Sequence, residues 1–190
     1  MSLSTVAILV ALLLAGAYAV ILYNALVRLK HGVGKAWSNI EVLLKQRHDE
    51  LPKLVETCKQ YMQHERSTLE RVIAARNAVA GARERGDLGA LGQAESGLRA
   101  GLGQLFALAE NYPQLKANEN FQFLQQRISG LENGIADRRE LYNEAVNLNN
   151  VRIEQFPDVL IARMFGFRPA ELLVFSEAEK ADVDIKSLFN

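Results

Sequence analysis

The first feature that constrains the fold is a long apolar run near the start of the chain. The 25 residues from Leu3 to Val27 include no Asp, Glu, Lys or Arg. As an α-helix they would be roughly 37 Å long, enough to cross a hydrocarbon layer of about 30 Å with some tilt. The alternative is a cleaved signal peptide, but no basic residue precedes the run, which is also longer than a signal core. We therefore predict an uncleaved transmembrane anchor at residues 1–27.

The charges that flank this run predict its orientation. No Lys or Arg precedes it, whereas Arg28, Lys30 and Lys35 follow it. Basic residues beside a membrane span favour the cytoplasmic side. We therefore expect a single-pass protein that contacts lipid through residues 3–27, with its N-terminus outside and the rest of the chain in the cytoplasm.

The composition disfavours several function classes. The chain carries 22 basic and 22 acidic side chains, and this zero net charge is untypical of a nucleic-acid-binding protein. Its single cysteine cannot build a disulfide framework or a thiolate zinc site. No glycine-rich phosphate loop is present. We expect no nucleic-acid partner, no cofactor and no enzymatic activity.

Beyond the apolar run, apolar residues recur at alternating spacings of three and four, the period of one helix face. No stretch between residues 28 and 168 alternates with the period of a strand. The three stripes are Ile40, Leu44, Leu51, Leu54, Cys58, Tyr61, Leu69, Val72 and Val79; then Leu88, Leu91, Leu98, Leu102, Leu105, Ala109 and Tyr112; then Phe121, Leu124, Ile128, Leu131, Ile135, Tyr142, Ala145 and Leu148. They predict an all-α fold in which the transmembrane helix precedes an antiparallel up-and-down bundle of long helices at 28–168.

Helix-breaking and capping residues separate these stripes. Gly81 and Gly86 bracket the first break, and Asp87 is a typical N-cap for the next helix. Pro113 is expected to end that helix, and Asn118 to cap the one after it.

Residues 47–52 (RHDELP) pose the hardest question of connectivity. Basic groups precede acidic groups there, and a proline inside a helix costs about 3 kcal/mol, so we predict a turn or sharp kink at 48–51. The alternative is one continuous helix, because the apolar spacing passes through this region undisturbed. A turn would bring the returning helix back to the membrane, so Gly32 and Gly34 are predicted to act as a hinge.

Short sequence blocks carry a further signal. They are YNALV at 23–27, AWSNIEV at 36–42, RHD at 47–49, LPKLVET at 51–57, YMQHE at 61–65, ENYPQLKANENF at 110–121, LEN at 131–133, RRELYN at 138–143, FP at 156–157 and FGF at 165–167. Taken together and in this order, they resemble the LemA family of bacterial membrane proteins.

The resemblance implies a single-pass anchor in the bacterial inner membrane, a helical-bundle domain and no established catalysis. It implies partners that are membrane or cytoplasmic proteins, with a membrane zinc peptidase as one candidate. Self-association through the span or the bundle is a further expectation.

Four charged residues fall where the stripes call for apolar side chains: Arg47, Glu65, Glu95 and Arg138. A buried unpaired charge costs several kcal/mol, so each of them needs a partner. Folding the second stripe against the third at Pro113 would bring Glu95 within about one turn of Arg138. This predicts a buried Glu95–Arg138 ion pair; the alternative leaves these groups in solvent at the edge of a wide stripe.

The segment at 156–167 (FPDVLIARMFGF) is apolar on most sides for a short helix. It is predicted either to cap the open end of the bundle or to contact a partner or lipid. The contact residues would be Phe156, Val159, Leu160, Met164, Phe165 and Phe167. The remainder, 169–190, has five acidic and two basic residues and is predicted to be an acidic tail that faces solvent or a basic partner.

The leading hypothesis is therefore a membrane-anchored, non-enzymatic scaffold or adaptor that acts by protein contact. A lipid-contacting or membrane-remodelling structural protein is the alternative. A metal-dependent enzyme using His31, His64 and Glu65 is a third hypothesis, although the histidine spacings are not those of a metal motif on one helix.

Overall fold

The computed structural model describes residues 2–175, and all of its regular structure in that range is helical. The predicted all-α class is confirmed. The acidic tail predicted at 169–190 is described only to residue 175, and there Leu173 and Phe175 are buried rather than facing solvent, because both side chains are apolar. Residues 176–190 lie outside the described range. The helices are α1 (Leu3–Lys59), α2 (Arg66–Arg85), α3 (Leu88–Ala109), α4 (Pro113–Lys116), α5 (Glu119–Glu154) and α6 (Asp158–Phe165).

Helix α1 is unbroken from the apolar run to Lys59, so the predicted turn at 48–51 is wrong. The stripe itself gives the reason, because its members on both sides of Pro52 are buried: Ile40, Leu44, Leu51, Leu54 and Cys58. A turn at 48–51 would have rotated half of these side chains away from the core. The helix also passes through Gly32 and Gly34 without interruption, and the turn that motivated a hinge there is absent.

Pro52 is tolerated inside α1 because another helix replaces the hydrogen bond that it removes. Proline has no backbone N–H, so the carbonyl of His48, one turn earlier, loses its usual helical donor. The Arg76 side chain of α2 supplies the missing bond, since its Nε donates to the His48 carbonyl oxygen at 2.9 Å. Its Nη2 lies 2.6 Å from His48 Nε2. Burial and this guanidinium lower the pKa of His48, which favours the neutral imidazole that accepts from Arg76.

The helix ends follow local chemistry. Asp87 caps α3, because its Oδ1 accepts from the Ala90 N–H at 2.9 Å, and Gly86 before it adopts the left-handed conformation with φ 66°. Asn118 caps α5 in the same way, accepting from the Phe121 N–H at 3.0 Å. These two predicted caps are confirmed. Gly81 does not break the chain, because α2 continues to Arg85.

The described chain divides into two compact units, and α1 and α5 contribute to both. Unit 2 comprises residues 40–137 together with 173–175 of the described part. Its core contains the predicted stripes: Ile40, Leu44, Leu51, Leu54, Cys58, Leu69, Val72, Val79, Leu91, Leu98, Leu102, Leu105, Ala109, Phe121, Leu124, Ile128, Leu131 and Ile135 are buried. Tyr61, Leu88 and Tyr112 are partly exposed.

Unit 1 comprises residues 2–39 and 138–172. The apolar run therefore shares a compact unit with the last part of α5 and with α6. Trp37 packs here against Tyr142, with ring centroids 5.6 Å apart. The third stripe drifts in this unit, because Val146 and Asn149 are buried in place of the predicted Ala145 and Leu148, and Leu148 is 54% exposed.

At Gly92 of α3, the segment 173–175 comes close to the helix backbone. A Cβ at this position would lie 1.9 Å from the Val174 carbonyl oxygen, so only glycine allows the segment 173–175 to lie here. That segment buries Leu173 and Phe175 in unit 2, and the Arg99 guanidinium lies 5.8 Å from the Phe175 ring centre. Because Gly92 has no side chain, the backbone of the segment 173–175 is able to contact the backbone of α3.

A double-mutant cycle tests the coupling between Pro52 and Arg76. We expect Arg76→Ala to lower the free energy of unfolding by about 1 kcal/mol more in the native chain than in the P52A background. Alanine at position 52 restores the N–H donor for the His48 carbonyl, so the guanidinium is no longer needed there. Thermal unfolding of the full-length protein in detergent, followed by circular dichroism, measures the cycle. Strictly additive effects would contradict the explanation.

Gly92→Ala should displace the segment at 173–175 and expose Leu173 and Phe175, lowering stability by about 2 kcal/mol or more. Protease sensitivity of this segment should rise with it. Gly97→Ala is the matched control on the same helix, because nothing lies within 4 Å of its Cβ position. That variant should gain roughly 0.5–1 kcal/mol from helix propensity. Equal behaviour of the two variants would disprove the close approach.

Candidate functional site

The predicted contact segment forms a helix that is docked on one side and bare on the other. Within unit 1, Ile161 and Ala162 of α6 join Leu22 and Leu26 of α1 and Ile153 of α5 in one hydrophobic cluster. Ala162 is 2% exposed, and Leu26 is fully buried. Helix α6 is therefore held against the last two turns of the apolar run.

The opposite face of α6 is exposed and apolar. Leu160 and Met164 lie one turn apart on α6, which places them on one side, and they are 60% and 68% exposed. Phe156, which precedes the helix, is 80% exposed. Phe165 is 56% exposed, whereas Val159 and Phe167 are partly buried. The six predicted contact residues thus divide into an outward apolar face and an inward pair. What this face contacts stays a prediction.

Aromatic contacts and hydrogen bonds fix the chain after α6. The Tyr23 ring lies 4.7 Å from Phe165 and 5.8 Å from Phe167, measured between centroids. The Asn150 side chain makes two bonds with Ala170, accepting from its N–H and donating to its carbonyl, each at 2.9 Å. These contacts hold residues 165–170 in place beside Tyr23.

A buried ion network is the main charged feature of unit 2. Arg47 of α1, only 1% exposed, donates to Glu95 of α3 and to Glu132 of α5, the latter at 2.5 Å. Arg99 approaches the second oxygen of Glu132 at 3.6 Å. The network therefore joins α1, α3 and α5 through alternating charges.

This network corrects the predicted partner of Glu95. The sequence correctly indicated that Glu95 is buried and needs a cation, but that cation is Arg47, and Arg138 is exposed. The prediction came from folding the second stripe against the third at Pro113, and it did not include α1, which brings Arg47 to Glu95. In a continuous α1, Arg47 stays on the buried face between Leu44 and Leu51.

The electrostatics of the network indicate a structural role. Burial raises the pKa of the Glu95 carboxyl, and the Arg47 guanidinium opposes that rise. The Nε of Arg47 has no hydrogen-bond partner among the described residues. A buried pair of this kind fixes which residues face each other more than it adds stability. We expect it to fix the register between α1, α3 and α5.

Other candidate chemistry is not assembled in the described part of the chain. Within residues 2–175, no group of three or more His, Cys, Asp or Glu side chains converges to hold a metal ion, so His31, His64 and Glu65 do not form one there. The Cys58 thiol is buried, which raises its pKa to about 12 and makes it a poor nucleophile. Glu65 instead accepts a hydrogen bond from the Tyr112 hydroxyl at 3.3 Å.

Unit 2 also carries an open cleft where the end of α1 meets α2. Its volume is about 850 Å³. Val55, Met62, Leu69 and Ile73 form its apolar part, and Lys59, Gln63, Arg66, Glu70, Ala74 and Asn77 complete the lining. The cleft is thus an apolar surface with charges of both signs at its rim.

These features define a class of protein. One helix is long and apolar enough to cross a membrane, and it continues into an all-α assembly held together by apolar stripes and a buried ion network. The chain is a membrane-associated helical protein. The LemA family model matches residues 36–186, which is most of the sequence, and the chain belongs to the LemA family.

Curated relatives carry the name of one bacterial protein. Magnetosome proteins MamQ 1 and MamQ 2 of Paramagnetospirillum magneticum are each 34% identical to the chain over 103 residues, which cover 53% of this chain and 37% of each relative. Magnetosome protein MamQ of Magnetospirillum gryphiswaldense is 25% identical over 186 residues, covering 86% of this chain and 68% of the relative. The chain thus aligns with little more than a third of the length of MamQ 1 and MamQ 2.

Three features of these sites were not predicted from the sequence. The Arg76 bond to the His48 carbonyl had a signal, because a proline within an unbroken stripe always leaves one carbonyl without its donor. Glu132 follows directly after the predicted core residue Leu131, which gave no indication that its carboxylate turns inward. Gly92 gave no signal, because the segment that it accommodates is more than 80 residues away in sequence.

Removing one member of the ion network should lower the free energy of unfolding more than removing two members. We expect Arg47→Met to lower the free energy of unfolding by about 3–5 kcal/mol, because two carboxylates are left without their cation. The double variant R47M/E95M should recover roughly 2 kcal/mol of that loss. Denaturant unfolding of the full-length protein in detergent measures both.

Lys45→Met is the control for this experiment. Lys45 lies on the same helix and pairs with Asp49 at 2.8 Å, but both side chains are more than half exposed. An exposed pair contributes little, so the change should stay within about 0.5 kcal/mol. A double variant less stable than R47M would show that the network contributes net stability rather than register.

Proposed function

We propose that the chain is a membrane-anchored, non-enzymatic scaffold or adaptor of LemA type. Its apolar segment crosses the bacterial inner membrane with the N-terminus outside, and its helical bundle binds other proteins on the cytoplasmic side. The observation that carries this proposal is the continuity of α1. One helix begins in the apolar segment and ends in the buried core of unit 2, at Leu54 and Cys58.

Two exposed apolar surfaces support a role in protein contact. The cleft between α1 and α2 offers an apolar lining with Lys59, Arg66 and Glu70 around it, an arrangement suited to an amphipathic segment of another protein. The outward face of α6 is the second surface. A membrane peptidase and a second copy of this chain are candidate partners.

A lipid-contacting structural role is the second candidate, and the position of α6 favours it. The inward side of this helix packs on Leu22 and Leu26, which belong to the apolar run. Its bare face therefore lies level with the end of the membrane span. An amphipathic helix at that level is suited to lie along the bilayer surface with Phe156, Leu160 and Met164 in the lipid.

Photo-crosslinking from single positions in intact membranes separates the two roles. A photoreactive residue is placed at Ala74 in the α1–α2 cleft, at Leu160 on α6, and at Ala100 as control. Ala100 is an exposed alanine on α3 outside the cleft. We expect a discrete protein adduct from Ala74, a lipid adduct from Leu160 and neither from Ala100.

The outcomes decide between the candidates. The Ala74 adduct should disappear when Ile73, in the cleft lining, is changed to Glu. Absence of any protein adduct from Ala74 and Leu160 would refute the scaffold role, whereas protein adducts alone at Leu160 would remove the lipid role. A reporter fused after Asn190 that is active only outside the cytoplasm would overturn the orientation.

A further inference from the structure

A basic cleft lies beside the end of the apolar run, within unit 1. Its volume is about 540 Å³. The first wall is α1 from Tyr23 to Val33, and the second is the segment 165–170 that follows α6. Asn149 of α5 contributes as well. The cleft is thus enclosed by three separate parts of the chain.

Positive charge dominates this cleft. Lys30 and Arg168 line it from opposite walls, together with His31. None of these three side chains makes an ion pair or hydrogen bond with another residue of the described chain, 2–175, and no described residue that lines the cleft is acidic. Two cationic groups therefore face one space without a counter-charge from the described lining residues, which is an arrangement suited to an anion.

The cleft is open to an apolar ligand at the same point. Tyr23 and Val27, which line it, belong to the last two turns of the uncharged run. Val20 lies one turn earlier on the same side of α1 and is 58% exposed. A ligand bound between Lys30 and Arg168 would therefore extend along an exposed apolar helix surface. A free anion would not contact this apolar surface, whereas an acyl chain would bury it.

The second wall is fixed before any ligand binds. Gly166 takes the left-handed conformation with φ 71°, and the Phe167 N–H donates to the Ala162 carbonyl at 2.9 Å. The two hydrogen bonds between the Asn150 side chain and the Ala170 backbone hold the far end of this segment. Arg168 lies between Phe167 and Ala170, whose backbones are both hydrogen-bonded. Its backbone position is therefore fixed, and only its side chain has to be ordered on binding.

We propose that this cleft binds the phosphate headgroup of an anionic phospholipid, with Lys30 and Arg168 on the phosphate and the acyl chains along Val20 and Tyr23. The aromatic rings of Tyr23, Phe165 and Phe167 lie at the boundary between headgroup and chain, where amphipathic and aromatic side chains are favoured. The inference rests on the proposed membrane anchoring and adds a lipid class to it.

Native mass spectrometry of the full-length protein in neutral detergent tests the proposal, with phosphatidylglycerol and phosphatidylcholine as the probes. The native protein should retain one phosphatidylglycerol in preference to phosphatidylcholine. The double variant K30Q/R168Q should bind phosphatidylglycerol about tenfold more weakly, as expected when two charge contacts to the lipid are lost. The matched control is R28Q/K35Q, which removes the same charge from two exposed residues of α1 outside the cleft.

Each result supports or overturns the proposal. Loss of the preference in K30Q/R168Q but not in R28Q/K35Q supports it. Equal loss in both variants, or no preference in the native protein, overturns it. Displacement of the lipid by millimolar inorganic phosphate would assign the cleft to a soluble anion instead. Carbonate extraction of cell membranes tests the anchor separately, because all variants should stay in the membrane fraction even if the lipid proposal fails.

Discussion

The buried stripe of α1 is the constraint on which the rest of unit 2 depends. Leu44, Arg47, Leu51, Leu54 and Cys58 remain on one face across the position of a proline that would ordinarily end the helix. Burial of large apolar side chains is worth about 1.5–3 kcal/mol each, so the stripe outweighs a proline penalty of about 3 kcal/mol. The Arg76 bond to the His48 carbonyl reduces that penalty further. Continuity of α1 then determines where Arg47 lies, and thereby which helices it joins.

Apolar packing and buried charge contribute differently to this bundle: the first stabilises it, and the second favours one alignment of its helices. Stripes of Leu, Ile and Val supply most of the driving force, but they are similar enough that helices sliding by one turn would still bury apolar surface. The Arg47–Glu95–Glu132 contacts favour one alignment, because a shift would leave a charge buried without a partner. In unit 1 the hydrogen bonds of Asn150 and Tyr142 with residues 170 and 171 have a comparable effect on the chain after α6.

Periodic and capping signals were sufficient for much of the fold. The spacing of apolar residues predicted the helical class and most of the core, and Asp87 and Asn118 act as the predicted caps because such caps depend only on neighbouring residues. The predicted turn at 48–51 is wrong, because burial of the stripe on both sides of Pro52 outweighs the local charge order. The partner of Glu95 and the need for Gly92 depend on contacts between residues far apart in sequence, which one sequence does not display. The docking of α6 on Leu22 and Leu26 belongs to the same category.

The docking of α6 also restricts how two copies of this protein are able to meet inside a bilayer. Leu22 and Leu26 are already covered by the chain's own residues, so the final turns of the apolar run lack a free side there for a second helix. The preceding turns are largely exposed, with Leu12, Leu13 and Leu14 all more than 60% exposed, and only Ala19 near their end packs against the cluster. If two copies pair through the apolar run, the contact is therefore expected in its turns nearer the N-terminus.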